Sequence, residues 1–266
     1  MRGLDKRGRV HALITAMIEN VILVTGGAGG IGAETCARLA SNGARVMIAD
    51  VNEAQAQARA ESIAASGGQA CGVECDITDP ESCERAAQAA VDRFGQLDGM
   101  VNCAGISQPH DSISLPPAQW ARMVDVQLNG AFYIAQACAK RMGDRGGAIV
   151  FITSTNAEAA FPMRTAYSCA KAGVNMMTKT LAIEWAQYGI RVNAVGPCHT
   201  ETEMTVENIR RGVVSLDVLR KRIPLGRLAK VEDVANAVAF LCSPKAAFIT
   251  GHALYVDGGY LAFGYW

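Results

Sequence analysis

The sequence predicts an α/β fold, a doubly wound and mostly parallel sheet of seven strands in a single domain. Two observations carry that reading. Short, β-branched apolar runs alternate with longer stretches of helical spacing, the pattern of a parallel sheet covered by helices on both faces. The first such run, Val21-Ile22-Leu23-Val24-Thr25, leads directly into Gly26-Gly27-Ala28-Gly29-Gly30-Ile31-Gly32, a glycine turn between a buried strand and a helix start.

The elements follow in order. Strands are expected over 21–25, 45–50, 70–75, 99–102, 148–154, 191–195 and 253–256, with helices over 30–41, 53–65, 80–94, 117–142, 164–188 and 231–242. Right-handed crossovers between parallel strands make this a Rossmann-like sheet with its ligand crevice at the strands' carboxyl ends. Residues 196–224 break the alternation; they are polar, irregular and charged, with Glu201, Glu203, Arg210 and Arg211, and read as a lid over the site. The domain spans 21–266, preceded by an extension over 1–20. There Arg2, Lys6, Arg7 and Arg9 precede the apolar run from Val10 to Ile18. No small-residue cleavage site follows and the first strand begins at once, so a surface extension is expected rather than a signal peptide, with Met17 an alternative start.

Composition excludes several classes. With 266 residues, half of them apolar, the chain can bury a substantial core. Its 25 lysines and arginines match 25 aspartates and glutamates, which leaves no broad basic field for nucleic acid. No apolar run reaches the ~18 residues of a membrane span. The 9 cysteines are odd in number and scattered, which suits reduced thiols and a cytoplasmic location. Cys71 and Cys75 are the one close pair, and the 4 histidines are dispersed, so no metal is expected.

Chemistry concentrates in Tyr167-Ser168-Cys169-Ala170-Lys171, with Ser154 thirteen residues upstream. Residues four apart share a helix face, so the Lys171 ammonium is expected beside the Tyr167 phenol, favouring its ionised form. Bringing a phenol from pH ~10 to neutrality requires roughly 4 kcal/mol, which one adjacent cation and the charge of an oxidised nicotinamide could supply. The glycine loop lets backbone approach a pyrophosphate, and the helix N-terminus that follows adds free amides. Asp50 closes the second strand eighteen residues after Gly32, placed to accept hydrogen bonds from ribose hydroxyls and to repel a 2′-phosphate. NAD is therefore the expected cofactor.

These residues resemble the short-chain dehydrogenase/reductase family from about Val21 to Gly259. Thr25-Gly26-x-x-x-Gly30-x-Gly32 is similar to its cofactor loop, Asp76 to its adenine contact, and Asn102-Cys103-Ala104-Gly105 to a segment that supports the central sheet. Pro224-Leu225-Gly226-Arg227, Ile249-Thr250-Gly251 and Val256-Asp257-Gly258-Gly259 resemble its C-terminal signatures. The resemblance implies a catalytic tetrad of Asn129, Ser154, Tyr167 and Lys171, and cofactor contacts from Gly26, Gly30, Ile31, Gly32, Asp50, Asp76, Ile77, Asn102, Ala104, Gly105, Tyr167, Lys171, Pro197 and Thr202. It further implies that Tyr167 exchanges a proton with the substrate oxygen, Ser154 donates to that oxygen, Lys171 holds the nicotinamide ribose and Asn129 fixes a water leading to solvent. The chain departs from the family at Pro197-Cys198, where Pro-Gly is usual, and at Thr202-Glu203, where Thr-Pro is common.

Gln108, His110, Asn156, Glu158 and His199 are the candidate substrate residues, and their polarity points to a small hydroxylated substrate, a polyol or sugar-like alcohol. The helix over 164–188 carries Ala170, Val174, Met177 and Leu181 on one side and Ala172, Met176 and Ile183 on another. Two apolar faces need two partners, so a homotetramer or dimer is expected. The rivals to an NAD-dependent alcohol dehydrogenase are a 3-oxoacyl-thioester reductase, disfavoured by Asp50, and an NAD-binding regulator without turnover, disfavoured by Tyr167, Lys171 and Ser154.

Overall fold

In the computed structural model of the chain, residues 20–210 and 215–264 are described. The expected N-terminal extension, apart from Asn20, lies outside them, as do 211–214 of the expected lid and the last two residues. Seven strands form one sheet in the order β3-β2-β1-β4-β5-β6-β7. They are β1 (Val21–Thr25), β2 (Arg45–Asp50), β3 (Gln69–Glu74), β4 (Gly99–Asn102), β5 (Gly147–Ile152), β6 (Ile190–Pro197) and β7 (Ala253–Val256). All six pairings are parallel, where a mostly parallel sheet was expected. The strand order reverses between β1 and β4, which opens the crevice at the carboxyl ends.

Helices α1 (Gly30–Ser41), α2 (Glu53–Ala65) and α3 (Pro80–Phe94) match the sequence expectation residue for residue. Their ends are chemically marked. The Asn52 side chain accepts from the Gln55 amide, the Asp79 side chain accepts from the Glu81 amide ahead of Pro80, and Gly95 ends α3 in the left-handed region. The single helix expected over 117–142 is instead α4 (Pro117–Val124), a π-helical turn (Asp125–Asn129) and α5 (Gly130–Met142). The apolar spacing runs unbroken through that turn, so periodicity could not reveal it.

Helix α6 (Thr165–Trp185) carries the tyrosine and lysine, and α9 (Val231–Cys242) precedes β7. Between β6 and α9, where an irregular lid was expected, stand two further helices, α7 (Glu203–Arg210) and α8 (Leu216–Arg222). Both are short and mostly polar, with Leu219 the buried anchor of α8. Leu219, Ile223, Leu228 and Tyr260 form a small separate core that pins this segment.

The main core lies on both faces of the sheet. Along β1, Val21 and Leu23 face one cluster and Ile22 and Val24 the other; along β5, Ile149 and Phe151 alternate in the same way with Val150 and Ile152. Residues of α3, α5 and α6 close the first face, and those of α1, α2 and α9 the second. Each large aliphatic side chain so buried contributes ~1.5–3 kcal/mol, so the strand ends that carry the motifs are fixed by the most rigid part of the molecule.

The glycine turn is set by close approach. Gly26 has φ of 60°, and a Cβ there would stand 2.7 Å from the Ala104 nitrogen; a Cβ at Gly32 would stand 2.0 Å from the Gly26 carbonyl oxygen. At Gly29 nothing lies within 4 Å of a Cβ. Gly32→Ala is expected to lower the unfolding free energy by at least ~2 kcal/mol, whereas Gly29→Ala should stay within ~0.5 kcal/mol of wild type. Urea denaturation of the two variants measures the contrast.

Candidate active site

The chemistry-bearing residues converge at the carboxyl ends of the strands. Thr25 ends β1 and its hydroxyl donates to the Asn102 side chain at the end of β4, 2.6 Å away. The Ala104 amide in turn donates to the Thr25 hydroxyl at 3.4 Å, which stitches the glycine loop to the segment after β4. Gly105 lies against the buried Gln127 side chain, and Ile77 packs against Gly130 at the start of α5. Asp50, ending β2, accepts from the Ala28 amide at 3.2 Å with one oxygen and from the Asn52 amide at 3.1 Å with the other. The carboxylate expected to meet a ribose thus also fixes the glycine turn. Asp76 is exposed beyond β3, and hydrogen bonds from the Thr78 amide and hydroxyl hold it below the usual carboxylate range.

The start of α1 meets the physical needs of a dinucleotide phosphate. Gly29, its N-cap, supplies no side-chain cap, and the first turn carries no acidic residue. The amides there remain free and the macrodipole unopposed, while the open space beside Gly29 leaves room for an anion. A nicotinamide dinucleotide therefore fits this end of the sheet.

Beyond it lies a cleft of about 350 Å³, lined by Ile31, Ser154, Asn156, Tyr167, Pro197, His199 and Thr202 among others. Tyr167 and Ser154 both line this cleft, and the Ser154 side chain acts to lower the Tyr167 pKa. The Ser154 oxygen accepts from the Asn156 amide at 3.1 Å, which fixes its rotamer. Lys171 is buried, and its ammonium donates to the carbonyl oxygen of Ile152, the last residue of β5, at 2.7 Å. It stands 5.7 Å from the centre of the Tyr167 ring. Asn129 closes the π-helical turn, its amide donating to the Asp125 carboxylate at 3.1 Å.

The electrostatics differ from the sequence expectation. Burial pushes the Tyr167 phenol above its ordinary value, opposed by the Ser154 side chain and by the Arg164 charge. Burial likewise pulls Lys171 down from 10.5 to about 8. The ammonium is held on a carbonyl at the ring's flank, and removing both groups from water outweighs the attraction that spacing alone suggested.

Of the five candidate substrate residues, Asn156 and His199 line the cleft. Gln108 is exposed and outside the lining. His110 is also outside it, with Nδ1 against the Asp111 carbonyl oxygen. Glu158 is exposed and turned to another task, accepting from the Tyr255 hydroxyl at 2.9 Å and the Asn175 amide at 3.2 Å. Burial and the Arg164 charge keep the His199 pKa below its ordinary value, so its ring is neutral near pH 7. Cys198 needs no glycine-like backbone, since among the described non-glycine residues Met163 alone has positive φ, and burial raises its thiol pKa. Sequence reading missed Ser107, Phe161, Arg164 and Leu219, which also line the cleft. Arg164 had a legible signal, standing one helical turn before Tyr167; Ser107 and Phe161 come from loops and Leu219 from α8.

A family model described as enoyl-(acyl carrier protein) reductase matches residues 26–261. The chain is 39% identical over 249 residues to an L-rhamnose 1-dehydrogenase (NAD(P)(+)) of Azotobacter vinelandii, covering 91% of this chain and 97% of that protein. It is 39% identical over 243 residues to a D-threitol dehydrogenase of Mycolicibacterium smegmatis, covering 90% and 92%. The crystal structure of gox2181 superposes with a TM-score of 0.90 at 35% identity, covering 94% of this chain and 98% of that one. Fold, ordered motifs and relatives agree, and the chain belongs to the short-chain dehydrogenase/reductase family, nicotinamide-dependent oxidoreductases acting on CH–OH groups.

Proposed function

We propose that the chain is an NAD-dependent dehydrogenase of a small hydroxylated secondary alcohol. The observation that carries this reading is that Tyr167 and Ser154 line one cleft that opens beside the glycine turn. Gly26, Gly30, Ile31, Gly32, Asp50, Asp76, Ile77, Asn102, Ala104, Gly105, Pro197 and Thr202 are assigned to holding the dinucleotide. When bound, its nicotinamide supplies or accepts the hydride.

The chain's own residues handle the proton. In oxidation the Tyr167 oxygen takes the proton of the substrate hydroxyl; in reduction it returns it to the carbonyl oxygen. The Ser154 hydroxyl donates to that same oxygen, where negative charge accumulates. Lys171 fixes a positive charge at the flank of the tyrosine ring, and Asn129 is assigned to the proton path behind it. The lid formed by α7 and α8 closes the cleft away from the sheet, through Leu219. Thiols at all nine cysteines are free, which supports a reducing, cytoplasmic setting. No helix among the described residues is long and apolar enough to cross a membrane.

A 3-oxoacyl-thioester reductase is the second reading, favoured by a 3-oxoacyl-[acyl-carrier-protein] reductase of Synechocystis sp. to which the chain is 36% identical over 256 residues. The placement of Asp50 weighs for NAD and against the NADPH that such a reductase would use, since a carboxylate repels a 2′-phosphate.

Self-association is part of the proposal. Ala170, Val174 and Leu181 of α6 are buried, whereas Met176 and Ile183 are 61% and 80% exposed. That second apolar face calls for a neighbouring subunit, as a homotetramer or dimer. Light scattering of the purified protein should give a multiple of the chain mass; monomer alone would remove this part of the reading.

Tyr167→Phe should bind NADH within a few-fold of wild type by fluorescence titration yet lose ~10²–10⁴ of kcat. Because burial raises the phenol pKa, wild-type oxidation should climb as pH rises above neutrality while carbonyl reduction falls, a dependence that the variant lacks. Unaltered turnover in the variant would sink the acid/base assignment. Asp50→Ala should raise the NADP-to-NAD ratio of kcat/KM by roughly tenfold or more; steady-state kinetics with both cofactors decides, and an unchanged ratio counts against the assignment.

A further inference from the structure

Arg164 is a cleft residue that takes no part in the proton transfer above beyond the influence of its charge on Tyr167. It is the N-cap of α6, three residues before Tyr167, and is half-buried. Its Nη1 donates to the Ser107 hydroxyl at 2.6 Å, and both residues line the cleft. No carboxylate among the described residues pairs with it, whereas Arg227 pairs with Asp233 at 2.6 Å, Arg141 with Glu84 at 3.2 Å and Arg85 with Asp79 at 3.5 Å. Burial works against its charge, and the opposing influence is Tyr167. A guanidinium stays protonated regardless, so its partial desolvation is a standing cost that an incoming anion would relieve.

The surrounding backbone holds it there. Met163, immediately before Arg164, has φ of 62°, and its carbonyl oxygen accepts from the His110 amide at 2.9 Å. That bond ties the loop carrying Ser107 to the entry of α6, so hydroxyl and guanidinium are presented together. Across the same cleft stands the neutral His199 ring, set edge-on to Phe161 at 5.5 Å and to Tyr260 at 6.1 Å.

We propose that the cleft selects an alcohol that also carries a carboxylate, bound by Arg164 as a charge-assisted pair, with Ser107 and His199 supplying uncharged hydrogen bonds. The inference rests on the dehydrogenase reading and narrows its substrate from a neutral polyol to a hydroxylated acid. Arg164 and Tyr167 line the same cleft three positions apart in the chain, so the carboxylate stands a few bonds from the carbinol carbon, as in a 3- or 4-hydroxy acid or an aldonate. A planar, forked donor suits that anion better than a hydroxyl.

Initial rates of NAD reduction with matched pairs test this: 3- and 4-hydroxy carboxylates against their primary amides, and aldonates against the corresponding alditols. Wild type is expected to favour the acids in kcat/KM by roughly 10- to 100-fold. Arg164→Gln should collapse that ratio, chiefly through KM, and Arg164→Lys should restore part of it. A wild type that does not prefer the acids overturns the proposal. So does an Arg164→Gln variant that loses activity equally on acid and amide, which would make the arginine a support for Tyr167 instead. Turnover of amides and alditols without any acid defeats the carboxylate inference and leaves the dehydrogenase reading standing; no NAD reduction with any member takes both down. The wild-type ratio requires no variant, so an unstable Arg164→Gln does not block the test.

Discussion

A lysine ammonium taken out of water at the end of β5 is the constraint around which this site is arranged. Lys171 is buried and meets the carbonyl oxygen of Ile152, which anchors α6 to the sheet at one polar point. Tyr167 lies one turn earlier on that helix, so its hydroxyl is delivered beside Ser154, just beyond β5. A charge in this position is costly, and its carbonyl bond offsets only part of the cost. The half-buried phenol is in the same situation, pushed toward its neutral form. Two groups biased against their charged states, side by side in a cleft, are poised for proton exchange once an added charge shifts the balance.

The sheet supplies the geometry that such a pair requires. Its strand order reverses between β1 and β4, and the hydrogen bond from Thr25 to Asn102 closes the two strands at that point. The glycine loop then has no freedom to drift, because Gly26 abuts Ala104 and Asp50 holds the Ala28 amide. Anion-binding capacity at the start of α1 is thus an outcome of packing as much as of glycine content. The π-helical turn that ends at Asn129 adds a local departure from helical spacing beside the same crevice, the kind of interruption that clusters at functional sites.

Polarity in the outer cleft is unevenly distributed. Ser154 and Asn156 are ordered by the turn after β5, whereas His199 and Leu219 come from the segment between β6 and α9. Arg164 links the two halves electrostatically, acting on both Tyr167 and His199. A cation so placed affects the proton chemistry and the choice of ligand together, which ties substrate identity to the same few residues that perform the reaction.

Local patterning was sufficient for the strands, for four helices to the residue and for the motifs at the strand ends, because short apolar runs and end residues such as Asn52, Asp79, Pro80 and Gly95 act within a few positions. The resemblance placed the tetrad by the order of its members along the chain. Distance in sequence hid the rest. The bond from Arg164 to Ser107 spans 57 positions and the ties of Glu158 to Tyr255 span 97, so neither could be inferred from spacing. Helices α7 and α8 owe their place to a satellite core assembled from Leu219, Ile223, Leu228 and Tyr260 rather than to propensity. The protonation bias of Tyr167 and Lys171 was decided last of all: adjacency of a cation to a phenol is written in the sequence, but desolvation depends on every side chain that folds over them.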